Sequence, residues 1–295
     1  MLIQQLINGL TLGVIYAMIA VGYTMVYGVI ELINFAHGEI YMLGAFFCAT
    51  FITAFHMPFY LAMALAMVAC GAAGVIIEKL AYKPLRKAPR LAVLITAIGM
   101  SIFLQNLSMA IWGSRPQPFP QDAVPAYLND IAVRFSDVQI SWLQLFIFGL
   151  TILMMIGLNL IITKTKTGTA MRALAQNSKA AALMGINVDR IISFTFALGS
   201  AMGAVAGVLV SVFYNTMYPT MGYTAGVKAF AAAVLGGIGS VPGAMIGGIV
   251  LGVAEALGAG YVSSLYRDGV AYAVLIAVII FRPSGILGKL VGDKA

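Results

Sequence analysis

The chain has 295 residues, 61% of them hydrophobic and only 9% charged, with 17 Lys and Arg against 10 Asp and Glu for a net charge of +7. Soluble domains carry about a quarter charged residues, so a water-soluble globular fold is excluded and the chain reads as an all-α polytopic membrane protein. The basic excess is confined to short segments between apolar runs, which excludes a nucleic-acid patch and instead reports topology.

Apolar runs of spanning or near-spanning length lie at about 6–29, 39–55, 59–78, 91–111, 142–162, 191–213, 226–240, 243–258 and 269–281. A bilayer core of ~30 Å takes about 20 helical residues, and the first six runs supply them. The first has no basic region before it and no cleavage signature after it, so it reads as a span rather than a cleaved signal peptide. The seventh and eighth are short and meet at GGIGSVPGA, so one of them is expected to be re-entrant or broken. The expectation is a single membrane domain, residues 1–295, with eight or nine transmembrane or re-entrant helices.

The first charged residues appear in ELINFAHGEI, residues 31–40, after thirty residues without Lys, Arg, Asp or Glu. Two readings are open. In one this is a turn, with Glu31 and Glu39 solvated, or with Asn34 capping the second helix and Glu39 favoured by the helix dipole. In the other it is a broken segment inside the membrane, with Asn34, Phe35, His37 and Glu39 along a translocation path, since polar groups at membrane depth persist where they face protein or a watery route. Glu255, in GVAEALG on the eighth run, joins them as a path candidate. Cys48 and Cys70 sit inside apolar runs as inert thiols, and no metal-ligand spacing or catalytic constellation occurs.

Residues 78–90 hold five bases and one acid, residues 164–190 five bases and Asp189, and the tail from Arg282 three bases and Asp293. The loop 113–141 holds Arg115 and Arg134 against Asp122, Asp130 and Asp137. By the positive-inside rule the basic segments and the C-terminus are cytoplasmic, while loop 113–141 and the N-terminus lie outside. That outer loop starts Pro-rich and continues as short β-prone pieces.

The cytoplasmic segment TGTAMRALAQNSKAAALMGINVDRII, residues 167–192, is rich in helix formers over 170–184. Thr167 or Thr169 is expected to cap one amphipathic helix, with Met171, Leu174, Ser178 and Ala182 on one face, Arg172, Gln176 and Lys179 on another, and Gly185 in the left-handed position that ends it. Such a helix lies on the inner leaflet against acidic lipid, or docks on a protein, as its small alanine side chains favour. Further on, Gly199, Gly203 and Gly207 form a small-residue stripe for close helix contact, within the chain or with a partner. Segments 1–78 and 191–258 share the order helix, polar break, helix, tight turn, helix, and run oppositely through the membrane, the arrangement of inverted repeats.

The cytoplasmic segment resembles the coupling loop of ABC importer permeases, whose motif is Glu-Ala-Ala, three residues, then Gly; here it reads Lys179-Ala180-Ala181, three residues, then Gly185, with Lys in place of Glu. Together, MRALAQNSKAAALMGINVDRI, INFAHGEIYMLGAF and AAVLGGIGSVPGAMIGG are similar to the branched-chain amino-acid permeases of the LivH family, over nearly the whole chain and in order. The resemblance implies a membrane subunit of an importer for leucine, isoleucine or valine in a bacterial inner membrane. It would pair with a second permease as a heterodimer, with two ATP-binding subunits and with an external binding protein. Coupling would run through Arg172, Ala173, Asn177, Lys179, Ala180, Ala181, Gly185 and Asp189. Related permeases take ribose, urea or short amides. No Walker A sequence occurs, since Gly288-Lys289 is followed by Leu290, so ATP and Mg²⁺ would bind the partners. The residues alone also fit an ion-coupled secondary transporter using Glu39, His37 or Glu255, or a passive channel.

Overall fold

The computed structural model describes residues 2–32, 34–86, 88–135, 138–282 and 284–288. Asp137 of the outer loop, Lys87, and the tail residues Lys289, Leu290 and Asp293 lie outside the described residues. The chain runs as α1 (Leu2–Ile30), α2 (His37–Phe55), α3 (Phe59–Ile77), α4 (Arg90–Trp112), β1 (Ile131–Phe135), β2 (Val138–Ser141), α5 (Trp142–Lys164), α6 (Lys166–Gln176), α7 (Ser178–Leu183), α8 (Val188–Tyr214), α9 (Met221–Gly236), α10 (Val241–Tyr261) and α11 (Arg267–Phe281). The protein is an all-α polytopic membrane protein, and among the described residues it carries one small antiparallel strand pair, the β1–β2 hairpin. Among the described residues seven helices are long and apolar enough to cross a bilayer: α1, α2, α3 with its continuation to Leu85, α4, α5, α8 and α10. Apolar α9 and α11, with 16 and 15 residues, are shorter.

α1 is the central post, buried along most of Thr11–Val26 and packed by α8, α9 and α10. It runs antiparallel to α10 at backbone distance. A Cβ on Gly13 would stand 2.8 Å from the Ile249 Cα, and one on Gly252 would fall on the backbone of Gly13. Without a hydrophobic drive between helices in lipid, such close packing is what holds them together. The stripe on α8 is used within the chain: Gly199 faces Gly22 of α1, Gly203 faces His37, and a Cβ on Gly207 would collide with the Tyr41 carbonyl. At the periphery α4 and α5 expose Ile95, Ile102, Leu153 and Ile156, as lipid contact requires.

The two ends of the bundle differ chemically. At one, the hairpin is tied to the start of α1: Gln139 N–H donates to Gln4 Oε1 at 2.9 Å, and Gln4 Nε2 returns a bond to the Gln139 carbonyl at 3.1 Å. Gln117 and Met217 exchange backbone bonds of 2.9 Å at the same end. At the other, the basic segment after α3 is tied to the start of α8 through Lys83 and Asp189, 2.7 Å apart, with α6 and α7 packed alongside α8. The expected β-prone pieces of loop 113–141 are this hairpin and two 3₁₀ turns, Gln121–Ala123 and Ala126–Asn129.

α1, α2 and α3 have 29, 19 and 19 residues; α8, α9 and α10 have 27, 16 and 21. α1 is followed by a left-handed Glu31 (φ 54°) and α8 by a left-handed Asn215 (φ 49°), each leading through a short non-helical link into a helix that starts inside the core.

The cytoplasmic segment departs from the expected single helix over 170–184. α6 ends at Gln176, and Asn177 takes extended geometry (φ −159°, ψ 105°). Its Oδ1 accepts from the N–H groups of Lys179 and Ala180, both at 3.0 Å, so a side chain that competes for backbone donors starts α7 instead of continuing α6. Thr165, not Thr167 or Thr169, caps α6 by accepting from Gly168 N–H at 3.0 Å. The break also splits the expected face: Met171 and Leu174 are buried, but Ser178 and Ala182 are exposed and Ala181 is buried instead. Gly185 is left-handed, at φ 84°, as expected.

Candidate functional site

Between α1 and α2 the chain turns back into the core, so α2 begins at depth rather than at the surface. His37 packs on Gly22 of α1, eight residues and about 12 Å short of the α1 end at Ile30. Asn34 does not cap α2. Ala36 is the N-cap residue and makes no side-chain bond, while Asn34 Oδ1 accepts from the Tyr82 hydroxyl at 2.7 Å. Nor is Glu39 solvated. It is fully buried, and its Oε1 accepts from Ser101 Oγ and Gln105 Nε2 of α4, both at 2.8 Å.

Three buried polar atoms around this helix start have no hydrogen-bond partner: Tyr23 Oη, His37 Nε2 and Glu39 Oε2. Tyr23 meets the His37 ring edge-on at 4.8 Å between centroids. Beside them lies a cavity of about 470 Å³ lined by Tyr23, Phe35, Ser101, Gln105, Tyr223 and Gly226. Leaving such atoms unpaired is costly, so an incoming polar group would gain hydrogen bonds here. The structure therefore gathers Asn34, Phe35, His37 and Glu39 around one helix start.

Glu255 belongs to a different cluster. On α10 it is fully buried, and its Oε1 accepts from Lys228 Nζ of α9 at 2.9 Å, Arg267 Nε of α11 at 2.5 Å and the Tyr16 hydroxyl of α1 at 3.2 Å. Lys228 also pairs with Asp268 at 2.6 Å. Tyr16 and Tyr23 are seven residues apart on α1, which sets the two clusters roughly 10 Å apart along that helix. Lys228 was not among the residues expected from sequence, although it is the one charged residue between Arg190 and Glu255. A lone base in so long an apolar stretch needs a buried partner, and the next acid is Glu255.

At the basic end, the α3 helix continues as a π turn, Glu78–Tyr82, and a 3₁₀ turn, Lys83–Leu85. Glu78 is fully buried there, paired with Arg86, and accepts from Ser193 Oγ of α8 at 2.7 Å. Arg86 also binds Asp189 at 2.5 Å, so one guanidinium joins the buried carboxylate to the entry of α8. A cavity of about 410 Å³ separates this network from α6 and α7, lined by Glu31, Arg86, Leu174, Asn177, Lys179 and Val188.

Of the coupling candidates, Arg172 donates to the Ile162 carbonyl and to Thr169 Oγ1, Ala173 is half-buried and Ala181 buried, while Asn177, Lys179, Ala180, Gly185 and Asp189 are exposed. Leu183 and Met184, at 89% and 84% exposure, stand at the tip of α7 and were missed. Their signal was two large apolar residues just before a helix-ending glycine.

Residues 5–279 match the profile of a family described as branched-chain amino acid transport system / permease component. The chain is 48% identical to the high-affinity branched-chain amino acid transport system permease protein BraD of Pseudomonas aeruginosa, over 97% of this chain and 96% of that one. It is equally close, with the same coverage, to the permease LivH of Escherichia coli. A probable branched-chain amino acid transport permease LivH of Methanocaldococcus jannaschii is 30% identical over 92% of this chain and 88% of that one. Among solved structures, a chain of PsaBC from Streptococcus pneumoniae in complex with Fab shares the fold, with a TM-score of 0.50 at 11% identity, covering 94% of this chain and 91% of that one.

Proposed function

The chain belongs to the family of branched-chain amino acid transport permease components, and from that premise we propose that it is the membrane subunit of an ATP-driven importer of leucine, isoleucine or valine in a bacterial cytoplasmic membrane. The observation that carries the substrate class is 48% identity, end to end, to permeases named for high-affinity branched-chain amino acid transport. The protein is a transport component rather than an enzyme. ATP and Mg²⁺ bind separate ATPase subunits, and a second permease chain and an external binding protein complete the assembly.

In this reading the hairpin and N-terminus face outside, and the basic segments and C-terminus face the cytoplasm. Supporting it, Lys83 and Arg86 meet Asp189 at one end and the hairpin sits at the other. The helices α1–α3 and α8–α10, which correspond to the segments 1–78 and 191–258, are inverted repeats. Their matched lengths and the left-handed residues after α1 and α8 favour this. α2 and α9 then both start inside the membrane rather than at its surface, the broken-helix arrangement by which transporters of repeat architecture hold their cargo.

Asn34, Phe35, His37 and Glu39 line the path, an assignment supported by the unpartnered polar atoms beside a cavity. α6 and α7 are the coupling element. Leu183 and Met184 supply an apolar tip and Lys179 a charge for the ATPase groove, while Arg86, Glu78 and Asp189 relay its movement to α3 and α8. Purification in mild detergent from native membranes tests the assembly. A second permease and two ATPase chains should travel with this one in fixed ratio, and isolation of this chain alone would contradict it.

A further inference from the structure

We propose that the Lys228–Glu255–Arg267–Asp268 cluster and the cavity beside it form a docking site for the head group of a zwitterionic amino acid on the hairpin side of the core. The proposal rests on the importer reading and deepens it. The cavity measures about 330 Å³, at the lower end of the ~300–1,000 Å³ of small-molecule pockets. Its polar wall includes Tyr16, Tyr41, Tyr214, Lys228, Arg267 and Asp268; its apolar wall includes Leu12 and Val210.

Charge is the first argument. Two cations, Lys228 and Arg267, face two carboxylates, Glu255 and Asp268, so the cluster is formally neutral. In a low-dielectric interior an uncompensated charge is heavily penalised. A net-neutral zwitterion can enter such a site without disturbing that balance; a cationic or anionic amino acid cannot.

The second argument is graded exposure. The side chains of Asp268 and Arg267 are 54% and 32% exposed, while Lys228 and Glu255 are 8% and 0% exposed. Asp268 and Arg267 form the mouth and Lys228 the fixed floor, held from behind by Glu255, which does not itself line the cavity. An incoming carboxylate replaces the Asp268 carboxylate on Lys228 and lies against the Arg267 guanidinium, whose Nε stays on Glu255 and Nη2 on the Tyr214 hydroxyl. The released Asp268 accepts the ammonium, so each pair broken is replaced by another.

Thirdly, acceptor capacity is spare just behind the floor. Glu255 Oε2 is buried without a hydrogen-bond partner. The positive end of α9 also opens here, with Thr220 as N-cap making no side-chain bond and Met221 on the cavity wall. The apolar wall receives the aliphatic side chain of the same molecule.

Cysteine protection in the complete transporter, in nanodiscs, tests this. Thr224→Cys places a thiol on the cavity wall, and the native Cys48 and Cys70 are both buried, so background labelling is low. Free leucine near saturation should slow modification by a methanethiosulfonate reagent at least about fivefold, as occupancy requires. Leucinamide, which lacks the carboxylate, and 4-methyl-2-oxopentanoate, which lacks the ammonium, should leave the rate nearly unchanged at equal concentration. Adding Arg267→Gln should abolish the protection by leucine. Should the Thr224 variant fail to assemble, Thr216→Cys samples the same wall.

In proteoliposomes, Arg267→Gln in an assembled complex should lower leucine uptake by about tenfold, the worth of one charge-assisted bond. Equal protection by all three compounds, or none by leucine, overturns the proposal. Undiminished uptake by Arg267→Gln beside a parent that imports leucine with ATP overturns the docking site and leaves the importer standing. A parent that fails to import leucine with ATP overturns both.

Discussion

Replacing Gly22 with Ala tests whether the broken entry to α2 is held by the close approach of α1. An alanine in a helix interior is ordinarily more stable than glycine by roughly 0.5–1 kcal/mol. Here the added methyl would land on His37 Nε2, 2.7 Å from His37 Cε1 and 3.1 Å from the Gly199 carbonyl oxygen. Carbon atoms rest about 3.5–4.0 Å apart, so the imidazole has to move by roughly 1 Å. It has little room, being 1% exposed with the Tyr23 ring against it.

Overpacking of this kind costs about 1–3 kcal/mol, which outweighs the helix preference. Gly22→Ala should therefore destabilise the protein by roughly 1 kcal/mol, the difference between the mid-values of those two terms. The assay is reversible unfolding in mixed micelles, read on the parent, Gly22→Ala, His37→Ala and the double variant. Since His37→Ala opens the space the methyl needs, the two changes should couple favourably by at least about 1 kcal/mol. A neutral or stabilising Gly22→Ala, additive with His37→Ala, would refute the packing argument.

Three other outcomes follow from the same geometry. Cysteines introduced at Pro120 should be labelled only from outside and those at Arg86 and Lys179 only from inside; labelling of Pro120 and Arg86 from one side would overturn the topology. Glu39→Gln keeps an oxygen for Ser101 and Gln105 but removes the charge, so leucine uptake should fall severalfold in a complex that still assembles; unchanged uptake would mean that Glu39 only packs. Gly185→Val forces a β-branched residue into a left-handed conformation, and together with Leu183→Asp at the exposed tip it should abolish substrate-stimulated ATP hydrolysis while membrane insertion is retained. Stimulation at the parent's level would remove α7 from the coupling pathway.

Much of the fold was legible because the bilayer simplifies the code. A run of about 20 apolar residues is a helix whatever packs against it, so the expected 59–78 and 142–162 lie within a few residues of α3 and α5. The depth of α2 was less legible. ELINFAHGEI gave both a turn and a broken entry, and what separates them is contact between Gly38 and Gly222 and between His37 and Gly22, made by residues far apart in sequence. Asn177 misled because 170–184 is otherwise all helix former; one amide able to cap its own downstream N–H groups was enough to break the run. The Lys228–Glu255 pairing was within reach, since each charge is isolated in apolar sequence. The roles of Arg267 and Asp268 were not, because both sit at a helix start, where charge needs no special explanation.

The most direct measurement of the central claim is leucine uptake into proteoliposomes holding the assembled complex, with ATP enclosed with the ATPase side and the binding protein outside. The account predicts accumulation that requires ATP and the binding protein and is not driven by a proton or Na⁺ gradient. Uptake driven by an ion gradient through this chain alone, indifferent to ATP, would contradict it.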